Sequence, residues 1–247
     1  MNPYSNGLPS YPVGPSYQGP YSHYTAPVRY ILNNQTDVYG RCCISKAKAD
    51  FMSMNRLLWM EHVNWTRMTI MGIVFGLPDL PSVQERLLRN ATDLGNCLRP
   101  FYGDNIADRY AALIKEHLVL AAELVTAAAK GDPNKAAEAE KQWYRNADDI
   151  ADLLSSINPY LNKEEFRKMF YTHLALTKQE AVYMLQKNYK ADIEVFDKIE
   201  AEALEMSDLI AGGIVKQFPG MLRQMAHHLM RWCAVLSICI LSNSIPK

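Results

Sequence analysis

The sequence lacks an excess of charge of either sign. Lysine and arginine together number 26, aspartate and glutamate together also number 26, and the formal net charge at pH 7 is therefore zero. Proteins that bind nucleic acid usually present a basic surface to the phosphates. We therefore expect no nucleic-acid partner for this chain.

Cysteine is also scarce, and the five cysteines form no recognisable framework. Two of them are adjacent, at Cys42 and Cys43, and the others are far apart, at Cys97, Cys233 and Cys239. This arrangement fits neither a disulfide-stapled fold nor a paired CxxC zinc site. It indicates a reducing compartment, and the localisation that we predict is cytoplasmic.

Signals for secretion, membrane insertion and several kinds of catalysis are missing. The chain does not open with a basic segment and an apolar run, and its longest C-terminal apolar stretch, residues 232–241, is too short to cross a bilayer. It has no serine or cysteine nucleophile motif, no glycine-rich phosphate loop and no HExxH motif. We therefore predict no transmembrane segment and favour a non-enzymatic function.

Both ends of the chain differ in composition from the middle. Residues 1–30 hold six prolines and six tyrosines, which predicts a disordered Pro/Tyr-rich tail over residues 1–44. Two interpretations of this tail stay open: a solvated extension, or an adhesive segment for self-association or for coat and surface proteins. Residues 220–247 form an amphipathic and apolar segment, which we expect to pack on the domain as a last helix or to contact a membrane surface or a partner.

The middle of the chain predicts an all-α bundle. Apolar residues recur there at helical spacing, no stretch alternates like a strand, and Gly and Pro separate the periodic segments. At the predicted start of the second helix, Ser82 and Glu85 have the spacing of a capping box. We predict six long helices, at about residues 45–75, 81–98, 105–129, 134–155, 163–187 and 190–217.

Short turns within pairs of these helices predict an up-down arrangement of three antiparallel hairpins. The hairpins cover residues 45–100, 101–159 and 160–219 of a bundle that extends over 45–219. Each ends at a proline, and the first two share the motif Arg-Asn-Ala-Xaa-Asp in the second helix. The sequence therefore predicts a threefold internal repeat.

A histidine interrupts the apolar face of the first helix of each predicted hairpin, at His62, His117 and His173. In the second helices, Asn90 and Asn146 interrupt an apolar stripe in the same way. For the third hairpin we prefer Glu200 as the corresponding residue, with Glu205 as the alternative. We expect these side chains to form a polar layer that crosses the bundle at about half its height.

Buried polar groups need partners, and two interpretations of the layer stay open. In the first, each His bonds to the facing Asn or Glu and fixes the register of the hairpin, without any ligand. In the second, the layer binds iron, manganese or zinc, as four-helix bundles do with inward His and carboxylate side chains. The candidate metal ligands are His62, His117, His173, Glu61, Glu116 and Glu200.

Sequence spacing favours the first interpretation. The Glu-x-x-His pairs of di-iron bundles are absent, Glu61 and Glu116 lie about 100° around the helix from the adjacent histidines, and asparagine is a poor ligand for a transition metal. Arg67, Arg89 and Arg145 could hold an anion, but we expect them to pair with acidic side chains across the hairpins.

Three motifs carry a resemblance to a known family. They are LWxEHxxWTR from Leu58, RLLRN ending at Asn90, and WYxNAD from Trp143. Over roughly residues 50–219 the chain resembles a family of all-helical proteins from spore-forming bacteria for which no activity is established. The resemblance implies a cytosolic or spore-associated helical bundle and no particular substrate, and likeness to ferritin is one of architecture alone.

Overall fold

The computed structural model describes residues 44–221, and five α-helices contain most of them. The described residues contain no strand, which confirms the prediction of an all-α fold. The predicted tail, 1–44, and the predicted C-terminal segment, 220–247, fall almost wholly outside this range. The helices are α1 (Lys46–Phe75), α2 (Leu80–Ala129), α3 (Pro133–Ile157), α4 (Lys163–Leu185) and α5 (Tyr189–Gln217).

Side-chain caps explain where most of these helices begin. The side chains of Ser45, Asp132, Asn162 and Asn188 each accept a hydrogen bond from the backbone N–H three residues later, as N-cap residues do. The capping box predicted at Ser82 was wrong. Helix α2 begins two residues earlier, at Leu80, and its N-cap residue makes no side-chain hydrogen bond.

The predicted second and third helices are joined without a loop in α2, so the described residues contain five helices where six were predicted. Within Leu80–Ala129 the backbone leaves the helical region at Gly103 alone, with φ 77° and ψ 177°. Glycine adopts this positive φ without a steric penalty. The Arg99 guanidinium spans the break, with hydrogen bonds of 2.6 Å to both Asp104 and Asp108. The predicted loop is therefore reduced to one residue.

Gly103 reverses the direction of α2. A Cβ atom at Gly95 would lie 2.7 Å from both the carbonyl oxygen of Ala107 and the Cβ of Ala111. In a straight helix, residues twelve apart are separated by about 18 Å. The residues on either side of Gly103, here called the first arm and the second arm of α2, therefore pack against each other.

Packing closes the helices into a ring around one large core. Helix α1 contacts α2 and α5, helix α3 contacts α2 and α4, and α4 contacts α5. Large apolar side chains from all five helices fill the interior, among them Trp59, Leu94, Trp143, Phe170 and Met206. None of the helices in the described range combines the length and the hydropathy that a bilayer span requires.

Candidate metal centre

Three histidines from three helices meet in the core. His62 of α1, His117 of the second arm of α2 and His173 of α4 are each 2–3% exposed. Their ring centroids form a nearly equilateral triangle with sides of 6.2, 5.9 and 6.3 Å. One nitrogen of each ring lies within 4.8 Å of a nitrogen of both other rings.

Two asparagines orient two of these rings in the same way. The Nδ1 atoms of His62 and His117 lie 3.2 Å from Oδ1 of Asn90 and Asn146, respectively. The amide of Asn90 donates to the carbonyl of Leu58, and the amide of Asn146 donates to the carbonyl of Leu113. In both cases that carbonyl belongs to the residue four positions before the histidine.

These amide bonds determine where the imidazole protons lie. Because each Asn amide nitrogen is used by a backbone carbonyl, its oxygen faces the ring, and Nδ1 must be the donor. Burial, followed by the nearby charge of His173, lowers the pKa of His62 to about 3. Burial also lowers the pKa of His117 well below its ordinary value, and His62 and His173 lower it further. Both rings are therefore neutral at pH 7, and the lone pair is on Nε2.

The third ring is paired with a glutamate. Nδ1 of His173 lies 2.8 Å from Oε2 of Glu202, which is 9% exposed. Neither Glu200 nor Glu205 is the partner: Glu200 is half-buried and Glu205 is exposed, so the preferred match and its alternative were both wrong. The partners are 28, 29 and 29 residues after their histidines. The separation of 29 in the second pair was the signal for Glu202.

Glu202 differs from the two asparagines in more than charge. A carboxylate has no N–H group, so it cannot donate to a helix carbonyl as Asn90 and Asn146 do. Its second oxygen, Oε1, is buried and has no hydrogen-bond partner. An unpaired buried oxygen of this kind costs about 1–3 kcal/mol. If the only role of residue 202 were to accept the hydrogen bond from His173, an amide side chain would do so at a lower cost in stability.

Trp143 contacts the triad from α3. Its indole Nε1 donates to Nε2 of His117 at 3.2 Å, and the two rings lie 5.2 Å apart. In this state both nitrogens of His117 have partners. Binding of a metal to Nε2 of His117 would require this one hydrogen bond to break.

The carboxylates predicted beside the histidines do not join the triad. Glu61 forms an ion pair with Arg86 at 2.8 Å. Glu116 is exposed and accepts a hydrogen bond of 3.3 Å from the amide of Asn146. Burial raises the pKa of Glu200, the nearby acidic Asp197 raises it further, and Arg67 opposes the shift. Of the six predicted ligands, the structure brings together only the three histidines.

Arg67 takes part in a separate buried network. Its guanidinium contacts Glu180 of α4 at 2.5 Å and Asp192 of α5 at 2.8 and 2.9 Å. It also lies over the ring of Phe196, 4.6 Å from the centroid. We expected an acidic partner for Arg67, and its partners come from α4 and α5. The guanidinium is thus paired with two carboxylates, which argues against an anion site at Arg67.

Three imidazoles whose Nδ1 atoms are hydrogen-bonded to Asn90, Asn146 and Glu202 are the donor set of a three-histidine metal site. In such zinc sites, bonds of about 2.0–2.1 Å keep the three nitrogens roughly 3.3 Å apart. The rings here would have to approach one another by up to roughly 1.5 Å to reach that geometry. Their hydrogen-bonded Nδ1 atoms correspond to the outer-shell contacts that orient metal-binding histidines.

Comparisons of this chain with protein-family models, with curated proteins and with solved structures give no match. The resemblance to a family of spore-forming bacteria therefore stays a prediction.

Proposed function

We propose that this protein is a metal-binding helical bundle whose His62, His117 and His173 bind one divalent transition metal through their Nε2 atoms. Asn90, Asn146 and Glu202 accept the Nδ1–H groups and hold the rings in place. The role of the bundle is to keep three neutral ligands and one carboxylate at fixed positions in an apolar interior.

The observation that carries this proposal is the replacement of asparagine by Glu202 in the third pair. A carboxylate in the core is costly to desolvate, and this one also leaves an oxygen unpaired. A divalent cation a few ångströms away would offset that cost, because opposite charges attract strongly at low dielectric. With the metal bound, three neutral rings, the metal and Glu202 carry a net charge of +1, which a hydroxide would neutralise.

Zinc fits the donor set best among iron, manganese and zinc. Three imidazoles with a fourth position for water form a known zinc geometry. Manganese prefers oxygen ligands, and mononuclear non-haem iron sites usually include a carboxylate among the direct ligands. Zinc in this geometry would lower the pKa of its bound water and act as a Lewis acid. Redox activity would require iron instead.

A purely structural role is the second candidate, and the bond from Trp143 to His117 favours it. With that bond, both nitrogens of His117 are satisfied without any ligand. In this hypothesis the His–Asn and His–Glu pairs fix the register of neighbouring helices, as buried polar residues do in coiled coils. The chain would then be a non-enzymatic assembly module, and we propose self-association or coat proteins as its partners.

Elemental analysis of protein purified without a His-tag decides between the two candidates. We expect close to one zinc per chain in the parent protein and a loss of at least tenfold in the His117→Ala variant. Glu61→Gln is the matched control, because Glu61 lies beside His62 and pairs with Arg86. It should keep the metal.

Two results would contradict the metal centre: no metal in the parent protein, even after incubation with zinc, or the same metal content in the parent and in His117→Ala. A Glu61→Gln variant without metal would show that the ligand assignment is wrong. Circular dichroism of each variant separates loss of metal from loss of fold.

We also propose that the three His-centred pairs arose by duplication of one helix pair. Separations of 28, 29 and 29 residues support this, as do the two matching Asn-to-carbonyl bonds. A cytoplasmic or spore-associated location is a proposal of the same standing, to be tested by fractionation of the native source.

A further inference from the structure

A cavity lies between the helices that carry the three histidines. It has a volume of about 270 Å³ and is bounded by α1, both arms of α2, α3 and α4. Most of its wall is aliphatic, including Ile70, Ile73, Leu118, Leu124, Val125 and Leu185. A cavity of about 150 Å³ holds a benzene molecule, so this one has room for roughly ten carbon atoms.

The cavity is not lined by the histidines themselves, but three of its lining residues are neighbours of the triad. Trp143 lines it and donates to Nε2 of His117. Thr177 lines it and bonds to the backbone carbonyl of His173. Thr66, one turn after His62, lines it as well, and its hydroxyl oxygen is buried without a hydrogen-bond partner.

Part of the cavity wall is exposed to solvent. Glu140 and Lys178 line this part and form an ion pair of 2.6 Å, with side chains 29% and 43% exposed. Because these two charges satisfy each other, this part of the wall offers no free ion to a ligand. Among the residues that line the cavity, Thr66 has a buried hydroxyl oxygen without a hydrogen-bond partner.

We propose that this cavity binds a linear aliphatic alcohol or aldehyde of about eight carbons, with its oxygen at Thr66 and its chain along the aliphatic wall. The chain replaces water on apolar surface, which drives binding. The oxygen exchanges a hydrogen bond with the Thr66 hydroxyl, which otherwise has none. Binding needs only the cavity and the Thr66 hydroxyl, and it does not depend on the metal of the proposed function.

The proposal is tested by calorimetric titration of the full-length, metal-free protein with 1-octanol and with propylbenzene, an apolar molecule of nine carbons. We expect saturable binding of both at one site per chain. Thr66→Val, which keeps the shape but removes the hydroxyl, should weaken 1-octanol binding about fivefold and leave propylbenzene binding unchanged. Thr126→Val, outside this cavity, is the matched control and should bind both as the parent does.

A second variant tests the location. Ala136 lines the cavity and is half-buried, so Ala136→Phe should fill the space and abolish binding of both molecules. Absence of saturable binding by the folded parent protein would overturn the proposal, and so would equal octanol affinities in Thr66→Val and Thr126→Val. If Ala136→Phe does not fold, the two threonine variants decide alone.

These outcomes are independent of the metal assay. If the protein binds zinc but neither probe, the cavity proposal is wrong and the metal centre is supported. If it binds both probes but no zinc, the cavity proposal is supported and the metal centre is wrong.

Discussion

Glu202 accepts a hydrogen bond of 2.8 Å from Nδ1 of His173 and leaves its other oxygen without a partner in the core. We expect Glu202→Gln to change the stability of the fold and the affinity for metal in different directions. Glutamine can keep the bond to the ring without carrying a charge, so the metal-free variant should be at least as stable as the parent in urea unfolding. Zinc affinity, measured by competition with a chelator, should fall about 10–100-fold.

The control for this variant is Glu200→Gln, on the same helix and two residues away. Since Glu200 does not contact the triad, the substitution should leave zinc affinity unchanged. Equal zinc affinities in Glu202→Gln and the parent protein would show that the charge of Glu202 does not help to bind the metal. The proposal of a metal centre would then lose its main support.

The close contact of the two arms of α2 predicts opposite effects at two glycines. A methyl group at Gly95 would meet the backbone of Ala107, whereas nothing lies within 4 Å of the corresponding position at Gly212 in α5. Gly95→Ala should therefore destabilise the protein by about 1–3 kcal/mol. Gly212→Ala should stabilise it by roughly 0.5–1 kcal/mol, because alanine favours the helix.

Thermal and urea unfolding of the two glycine variants give the measurement. A stable Gly95→Ala variant would mean that the arms lie further apart than the structure places them.

The buried carboxyl of Glu180 predicts a dependence of stability on pH. Burial raises its pKa from 4.5 to about 7, although Arg67 opposes the shift. The folded state therefore holds this proton more tightly than the unfolded state, and Glu180 lowers stability as the pH rises from about 4.5 to 7. In Glu180→Gln this loss should be absent.

Urea unfolding at pH 5 and at pH 8 measures the effect. Between these values the parent should lose roughly 1–3 kcal/mol more than Glu180→Gln does. The exposed Glu205→Gln should follow the parent. Parallel pH profiles for the parent and Glu180→Gln would show that Arg67 fully offsets the cost of burial.

Asn90 should contribute more to stability than Asn64, which lies two residues after His62 in α1. Asn90 is fully buried and bonds both His62 and the carbonyl of Leu58. Asn64 is half-buried and bonds only the carbonyl of Met60, within its own helix. We expect a loss of about 2–3 kcal/mol for Asn90→Ala and under about 1 kcal/mol for Asn64→Ala, measured by urea unfolding. Equal losses would argue against a structural role for the polar layer.

Much of the fold could be predicted because residues close to each helix end determine where the helix begins or stops. Helical spacing of apolar residues and the turns at Gly76, Gly131 and Asn158 gave boundaries that mostly lie within two residues of those observed. The fusion at Gly103 could not be predicted in this way. Pro100 and Gly103 each predict a break, but the contact between Gly95 and Ala107 that fixes the reversal is tertiary.

The site was predictable in part for a related reason. His62, His117, Asn90 and Asn146 stand out because each is polar within an apolar stripe. Glu202 does not stand out, because α5 also carries other glutamates near its apolar stripe. Only its separation of 29 residues from His173 distinguishes it. The contact of Trp143 with His117 depends on how α3 packs on α2, which no local pattern encodes.

Helix α2 carries parts of two different His-centred pairs on one continuous piece of backbone. Asn90, which holds the first ring, is on one arm, and His117, the second ring itself, is on the other. Inserting a single residue into either arm would rotate one of them by about 100° relative to the other. Natural length variation in related chains should therefore gather in the turns near residues 77–79, 130–132 and 186–188, and the stretch from Asn90 to His117 should keep a constant length.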